Sequence, residues 1–487
     1  MNNTFILLTI LLYFGLLLVV AWVTGRNDSH NDAFFTAHKR SPWYIVSIGM
    51  IGASLSGVTF VSVPGMVRSI DFTYMQTVFG FFFGYIIIAH FLLPIYYRLN
   101  LTSIYFWIEP RIGKRAYFTA ASFFLLSKII GAAARLYLVT LILHTFIFDH
   151  WNIPFSLTVA VSLFLVWLYT FRSGLKTIIW TDTLQALCLV AMLIILIWKI
   201  KDAMHLDTFA MVHTLTHSTH FRIFEFNDWH STQHFVKQFF SGIFITIVMT
   251  GLDQDMMQKN LSCRSFKEAK KNMYFYGFAF IPVNFLFLAL GTLLLLFAAN
   301  HAIDLPQRAD DILPFFCTSG IFSTGLTVCF TIGIIAAAFS SADSALTALT
   351  TSFCVDILHI QSLDPIPARR IRLRVHIVIT ILFGLIILLI QFFNNRSIID
   401  AIYMIASYTY GPLLGIFAFG LLTRRHTPDA PVPYICIASP IVCFTLAQLA
   451  DHYFSYTLGY ETLILNGALT FAALTVLSHS SKHIQLS

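Results

Sequence analysis

Long apolar stretches separated by short polar turns follow one another along almost the whole chain. A bilayer core needs about 20 consecutive apolar residues per helix, and the chain supplies about 13 such segments. To within a few residues they lie at roughly 4–24, 43–66, 74–97, 117–147, 154–171, 177–199, 233–252, 273–300, 314–346, 371–394, 399–422, 431–450 and 457–479. The pattern predicts an all-α transmembrane protein with a single domain over 1–487.

Composition supports this fold class. The chain is 57% hydrophobic and 11% charged, whereas a soluble domain has about 25% charged residues. The formal charge of +7 does not indicate nucleic-acid binding, because Lys and Arg lie between apolar segments rather than on one basic face. The stretch from Thr4 to Thr24 lacks the features of a cleaved signal peptide, so we expect a retained helix.

The loops between the segments alternate in their content of Lys and Arg, which predicts an orientation. Cytoplasmic loops are rich in both residues. With the N-terminus outside, the inside loops hold about threefold more cations, among them Lys259, Arg264 and Arg369 to Arg374. We therefore expect a multi-pass protein of the bacterial inner membrane with a cytoplasmic C-terminus.

The long outside loop at about 200–232 is rich in histidine, namely His205, His213, His217, His220 and His230. Spacings of three and four residues could place ligands on one helical face. A surface loop is the favoured interpretation, because we expect no carboxylate or cysteine to join these histidines as a metal ligand. We predict no metal site there.

One apolar segment carries an unusual set of small and polar residues, from Ile334 to Ala345. Ala337, Ser340, Ser341 and Ser344 share one helical face, and the alanines allow a neighbouring backbone to approach. Hydroxyls beside carbonyls suit sodium, which prefers oxygen ligands. The alternative is that these serines only hold neighbouring helices together, and the nearby Asp343 makes that alternative less favoured.

A second segment, from Ser47 to Pro64, contains three glycines, several hydroxyls and a proline. This composition disfavours a continuous helix, and an unwound stretch in the membrane frees carbonyls that can bind an ion. A glycine-rich close helix crossing is the alternative.

Charged residues within the apolar segments are costly and need a reason. Lys128 and Arg135 lie seven residues apart on one helical face. Either they pair with Asp182 and Asp343, or they contact a substrate carboxylate. Asp182 lies near the inner end of its segment, so an interfacial position is expected.

Several short motifs resemble the sodium:solute symporter family, which includes bacterial proline, pantothenate, galactose and sialic acid transporters and the sodium/glucose cotransporters. The resemblance covers nearly the whole chain. The matching residues are Asp32-Ala33-Phe34-Phe35 before Trp43, Leu55-Ser56, Leu101-Thr102-Ser103, Trp180-Thr181-Asp182 with Gln185, Asp253-Gln254-Asp255 with Gln258, Ser340-Ser341-Ala342-Asp343-Ser344, and Gly411-Pro412-Leu413-Leu414-Gly415. Each motif is weak alone, but together and in order they are strong.

The resemblance implies a leucine-transporter-like core of two inverted five-helix repeats over 43–422. One extra helix, 4–24, precedes this core, and two helices within 431–479 follow it. The resemblance also implies a sodium site. Its ligands are the carbonyls of Gly52, Leu55 and Ala337 and the hydroxyls of Ser340 and Ser341.

The sialic acid branch of the family implies a second sodium site and a solute pocket. The second site falls at Asp182, Ser340, Asp343 and Ser344, where Asp343 replaces a serine. Ser54, Ser56 and Thr59 match polar residues of that branch's pocket, and Tyr74 and Arg135 are further substrate candidates. For Arg135 three alternatives stay open, namely a displaced contact to an anionic solute, pairing with a charged side chain, and a neutral solute. That branch's glutamine and carboxylate-binding arginine fall at Val78 and Gly131, so we expect a solute other than sialic acid.

The sequence therefore predicts sodium-coupled symport of a small polar or anionic solute, such as a sugar, a sugar acid, an amino acid, a monocarboxylate or a vitamin, by a monomer in the bilayer. We do not expect the protein to be an enzyme, because its apolar segments contain no catalytic set of a nucleophile, a base and a residue that orients the base. A channel is disfavoured, because the polar groups converge on one locus rather than line a pore. Two alternatives remain, a proton-coupled carrier that uses Asp343 and a transporter-like membrane sensor, although little chain follows the last segment for a signalling module.

Overall fold

The computed structural model describes residues 3–25, 31–171, 174–393 and 398–478, and these residues are almost entirely helical. Within them no β-strand forms, and a single isolated bridge joins Ser41 to Cys263. Helices satisfy their own backbone hydrogen bonds, which is what an apolar solvent requires. The predicted all-α class is confirmed.

The α-helices in chain order are α1 (Asn3–Gly25), α2 (Asn31–Thr36), α3 (Trp43–Ser54), α4 (Gly57–Ile70), α5 (Tyr74–Ile87), α6 (Leu93–Arg98), α7 (Ile108–Arg111), α8 (Lys114–Leu143), α9 (Phe155–Thr170), α10 (Leu175–Ala203), α11 (Thr208–Thr216), α12 (Phe235–Thr246), α13 (Gln254–Leu261), α14 (Phe266–Asn300), α15 (Ile312–Thr318), α16 (Thr324–Ser352), α17 (Pro365–Phe393), α18 (Ile398–Leu422), α19 (Val432–Phe454) and α20 (Thr462–Val476). Short π-helical turns extend α5, α8, α12 and α16 at their C-terminal ends.

The described residues contain nine helices that are long and apolar enough to cross a membrane. Two further helix pairs pass the same test together, each bent at a short break, and two shorter apolar helices, α9 and α20, complete the set. Every predicted apolar segment overlaps one of these helices or pairs. The protein therefore crosses the membrane many times, while the exact number of spans stays a prediction.

The spans differ in how much of their surface other helices cover. The apolar windows of α1, α17 and α19 are only 22% buried, so these helices face lipid. The window of α16 is 78% buried, and α16 packs against α3, α4, α8 and α10. The polar side chains of α16 therefore lie at the centre of the bundle.

The histidine-rich segment after α10 forms α11 and an irregular chain beyond it. His213 and His217 stack with ring centroids 3.9 Å apart, and His220 pairs with Asp71 at 3.0 Å. Among the described residues no group of three or more His, Cys, Asp or Glu side chains could hold a metal ion. The surface-loop interpretation accounts for these contacts.

Candidate functional site

The second apolar segment is a broken helix, as its composition predicts. Helices α3 and α4 meet at an angle of 60°, with Leu55 and Ser56 between them in non-helical conformations. The Leu55 amide still donates to the Ile51 carbonyl at 2.9 Å. Because α3 ends at Ser54, the other carbonyls of its last turn, including that of Gly52, lose their helical donors.

Two glycines allow this break to lie against neighbouring helices. A Cβ at Gly52 would lie 2.8 Å from both the Asp182 carbonyl oxygen and the Ala186 Cβ, so α3 and α10 touch at that point. A Cβ at Gly57 would overlap Val139 Cγ2 of α8 and would lie 3.8 Å, an ordinary contact distance, from the Ala338 amide of α16. The structure thus brings the broken helix and the serine-rich helix together.

The two hydroxyls predicted to bind sodium are buried in α16. Ser340 Oγ donates to Asp182 Oδ1 at 2.6 Å, and Ser341 Oγ donates to the Ala338 carbonyl at 3.0 Å. A hydroxyl has one hydrogen to donate and two lone pairs. Since each hydrogen is engaged elsewhere, each oxygen keeps lone pairs that can bind a cation.

A second broken helix, which the sequence analysis missed, lies opposite. Helix α12 with its π-turn meets α13 at 66°, and Asp253 caps α13 by accepting from the Asp255 amide at 2.9 Å. Helix α13 packs against α3 and α16, and Lys259 on α13 is 1% exposed. The prediction that Lys259 belongs to an inside loop is wrong. The signal was an aspartate cap followed by the spaced pair Asp255 and Lys259.

A charge network connects this second break to α8 and α10, and we define it as Lys128, Asp253, Asp255, Lys259 and Asp182. Lys128 Nζ lies 3.1 Å from Asp253 Oδ1 and 2.8 Å from Asp255 Oδ2. Lys259 Nζ lies 3.3 Å from Asp255 Oδ1 and 2.8 Å from Asp182 Oδ2. Each side chain is at most 7% exposed. Buried charges need opposite charges close by, and each charge of the network has one within 3.3 Å.

One expectation about these charges is wrong, while the interfacial depth of Asp182 stays a prediction. Asp182 is completely buried, and its helix α10 packs against α3 and α16. Lys128 pairs with Asp253 and Asp255 rather than with Asp182 or Asp343. Asp253 and Asp255 follow the predicted segment at 233–252, and the bend at Asp253 places both carboxylates beside Lys128.

The residues implied for a second sodium site do not all meet. Ser344 Oγ lies 3.1 Å from Asp182 Oδ2 and 2.6 Å from Lys259 Nζ, close to Ser340. Asp343 instead accepts from the Tyr169 hydroxyl at 2.9 Å and from the Ser344 amide at 2.5 Å. The structure therefore brings Asp182, Ser340 and Ser344 together and directs Asp343 towards α9.

A central cavity opens beside the first break. Its walls include four of the predicted substrate residues, together with groups from the charge network and aromatic side chains of α14 and α18. Among the lining residues are Ser54, Ser56, Thr59, Arg135, Lys128, Asp253, Tyr276, Ser341, Tyr403 and Tyr410. Tyr74 does not line the cavity, but its hydroxyl lies 3.3 Å from the Tyr403 hydroxyl.

Two cations lie in the wall of the central cavity, and they differ in their partners. Lys128 is bound by two aspartates. Arg135 has no hydrogen-bond or ion-pair partner among the described residues. Gly131, one turn earlier, offers open space, since a Cβ there would meet nothing within 4 Å. The Arg135 guanidinium is thus free to bind an acceptor within the cavity.

Comparisons with known proteins point to one family. Residues 34–430 match a sequence model described as the sodium:solute symporter family. The chain is 25% identical over 467 residues to the sodium/sialic acid symporter NanT of Aliivibrio fischeri, a match that spans 94% of this chain and 91% of that protein. It is 24% identical over 414 residues to the human sodium-coupled monocarboxylate transporter 2, spanning 82% and 65% of the two chains. These relatives are transporters, which confirms that the chain is not an enzyme.

Solved structures share the fold. A substrate-bound, outward-open structure of a Na+-coupled sialic acid symporter superimposes with a TM-score of 0.83 at 22% identity, covering 97% of each chain. Mhp1, a nucleobase-cation-symport-1 family transporter, matches with a TM-score of 0.60 at 14% identity, covering 93% of this chain and 95% of that one. The chain therefore shares the helix arrangement of these two structures.

Proposed function

Because the chain belongs to the sodium:solute symporter family, we propose that it carries a small organic solute with a carboxylate group into the cell together with sodium. A symporter of this family binds both a solute and sodium within the membrane. The observation that carries the proposed substrate class is the unpaired Arg135 guanidinium in the central cavity.

An unpaired arginine in a cavity favours an anionic solute for a physical reason. Arg135 is half-buried without a counterion among the described residues, and a bidentate arginine–carboxylate pair is among the strongest polar contacts in proteins. Relatives named for sialic acid and for monocarboxylates have acids as substrates. Ser54, Ser56 and Thr59 on the cavity wall would contact the remaining polar groups of the solute.

The proposed sodium site lies where the first break meets α16. The carbonyls of Gly52, Leu55 and Ala337 and the hydroxyls of Ser340 and Ser341 would bind the ion. Gly57 packs close to Ala338, and Ser54, Ser56 and Ser341 line the same cavity. An ion bound there would touch both a bent helix and a rigid one, so its binding would favour one arrangement of the two.

The wider architecture follows from the same proposal. We place 13 spans in one domain, with two inverted five-helix repeats over 43–422, one helix before them and two after. The N-terminus would lie outside and the C-terminus in the cytoplasm of a bacterial inner-membrane protein. Alternating access would then arise from rocking of the two repeats around the sodium and solute sites.

The test is uptake by purified protein in liposomes. Radiolabelled sugar acids, amino acids, monocarboxylates and vitamins are screened with an inward gradient of sodium, and in matched buffers with potassium or choline. We expect uptake of one or more carboxylates with sodium alone. Equal uptake in choline buffer contradicts sodium coupling, and uptake that follows a pH gradient instead supports the proton-coupled alternative.

A further inference from the structure

Lys259 places an ammonium group inside a ring of oxygens on α10 and α16. Its Nζ lies 2.8 Å from Asp182 Oδ2 and 2.6 Å from Ser344 Oγ. Both Lys259 and Asp182 are at most 1% exposed. We define the space bounded by Asp182, Ser340 and Ser344 as the second cation position.

An ammonium and a sodium ion make similar demands at such a position. Each carries one positive charge and binds carboxylate and hydroxyl oxygens. The lysine already uses Asp182 Oδ2 and Ser344 Oγ, while Ser340 donates to the other carboxylate oxygen. A sodium ion there would share its ligands with a fixed like charge about 4 Å away, which lowers its affinity by roughly a thousandfold.

The lysine is also anchored from behind. Asp255 Oδ1 lies 3.3 Å from Lys259 Nζ, and Asp255 Oδ2 lies 2.8 Å from Lys128 Nζ. Helix α13, which carries Lys259, packs against α3 and α16. A charge held by a covalent tether and two aspartates stays in the protein throughout a transport cycle.

The fourth residue implied for a second sodium ion is directed elsewhere. Asp343 Oδ2 accepts from the Tyr169 hydroxyl, and Asp343 Oδ1 accepts from the Ser344 amide. The carboxylate nearest to the second cation position is thus that of Asp182, and Lys259 neutralises it. The ligand set that remains does not suit a further monovalent cation.

We propose that the Lys259 ammonium is a built-in occupant of the second cation position, so that this chain takes up one sodium ion per solute. The proposal rests on the proposed function, because it presumes a sodium site elsewhere in the chain. A tethered cation neutralises Asp182 without being released inside the cell, so it contributes no driving force. With a solute of charge −1, transport by one sodium ion is electroneutral.

The test counts sodium ions on the purified protein and needs no knowledge of the solute. Equilibrium binding of radioactive sodium is measured on the full chain in detergent, with protein concentration from amino-acid analysis. We expect one ion per wild-type chain and two per Lys259→Ala chain, because removal of the ammonium leaves Asp182 and two hydroxyls open. Lys259→Arg keeps the charge and should bind one ion.

Lys237→Gln is the matched control. Lys237 is a buried lysine on α12, a helix that packs against α5 and α20, and it lies over the rings of Tyr456 and Trp229, at 4.1 and 5.6 Å from the ring centroids. This variant should bind one ion. A second readout is the melting temperature, which sodium should raise more in Lys259→Ala than in the wild type.

The outcomes separate the two proposals. Two ions on the wild-type chain overturn the role of Lys259 but leave sodium coupling intact. A monodisperse Lys259→Ala protein that binds no more sodium than the wild type also overturns it. Absence of any sodium binding to the wild-type chain instead contradicts the proposed function. Should Lys259→Ala not purify, the wild-type count decides alone.

Discussion

The Ser340 hydroxyl donates a 2.6 Å hydrogen bond to the Asp182 carboxylate, across 158 residues of sequence. Ser340 is a proposed sodium ligand, and Asp182 belongs to the charge network that reaches Lys128 in the wall of the central cavity. The proposed ion site and the solute cavity are therefore connected by a continuous series of polar contacts. Networks of this kind give coupling a physical path, although only measured coupling energies establish it.

Replacement of Ser340 should separate sodium binding from folding. Ser340→Ala removes one proposed ligand, and we expect sodium affinity to fall about tenfold or more, since a contact to a charged group contributes about 1.5–3 kcal/mol. Asp182 keeps its contacts to Lys259 and Ser344, so the protein should still fold. Sodium titrations that follow melting temperature or bound radioactive sodium give the affinity.

Ser439→Ala is the control for that experiment. Ser439 is a buried serine on α19 whose hydroxyl donates to Asn466 of α20, outside the bundle centre. The Ser439→Ala variant should have a slightly lower melting temperature and the same sodium affinity as the wild type. Equal sodium affinity in Ser340→Ala and in the wild type would remove Ser340 from the proposed site.

Arg135 should determine the preference for a carboxylate. Arg135→Ala leaves the cavity without its free cation, and we expect at least a tenfold loss of uptake for a carboxylate solute with sodium binding retained. Arg135→Lys keeps the charge but loses the planar fork, so partial uptake is expected. The measurement compares a transported acid with its uncharged amide in each variant.

The amide supplies the internal control. If Arg135 binds the carboxylate, the wild type discriminates strongly between acid and amide, and Arg135→Ala does not. A variant that loses uptake of both compounds equally, or keeps full discrimination, contradicts the assignment.

Gly52 should be needed for the close approach of α3 to α10. An added Cβ would lie 2.8 Å from the Asp182 carbonyl oxygen and from the Ala186 Cβ. Gly52→Ala must push these helices apart at a cost of about 1–3 kcal/mol, so we expect a lower melting temperature. The shift also moves the Gly52 carbonyl, so sodium affinity should fall as well.

Gly15→Ala is the matched glycine variant. A Cβ at Gly15, on the lipid-facing helix α1, would meet nothing within 4 Å. Alanine is the better helix former by about 0.5–1 kcal/mol, so this change should be neutral or stabilising. If both glycine variants melt alike, the contact between α3 and α10 is less restrictive than the structure indicates.

The sequence predicted features that depend on local composition. The break at Leu55 follows from the glycines, hydroxyls and proline around it, and the shared face of Ser340 and Ser341 follows from helical geometry. Long apolar segments predicted the long apolar helices, because lipid selects for length and hydropathy. These properties need no knowledge of which helices are neighbours.

The charge network could not be predicted in the same way. Helix α13 is polar by composition and resembles a loop, so Lys259 was assigned to the cytoplasmic side. The burial of Lys259 depends on Asp182 of α10 and on the bend at Asp253, which bring distant parts of the chain together. Local sequence patterns contain no information about such contacts. For the same reason they predict the wrong partners for Lys128.

Lys128 and Asp255 should be energetically coupled, which a double-mutant cycle can measure. Their charges lie 2.8 Å apart, and neither side chain is more than 7% exposed. Asp255→Asn removes the acid that both lysines share, but Lys128 keeps Asp253 and Lys259 keeps Asp182. Lys128→Met leaves Asp253 without its cation, while Asp255 keeps Lys259. Lys128→Met should therefore destabilise the protein strongly, because it leaves a buried charge uncompensated, and Asp255→Asn should destabilise it less.

The double variant removes one charge of each sign. Its destabilisation should therefore be smaller than the sum of the two single effects, by about 0.5–3 kcal/mol. Melting curves of the detergent-solubilised proteins give the three differences. Lys128→Met combined with Ser439→Ala serves as the reference, since Ser439 lies on peripheral α19 and the two effects should add within about 0.3–0.5 kcal/mol. Strict additivity in the Lys128 and Asp255 cycle would mean that solvent screens this pair, which contradicts the burial on which the charge network depends.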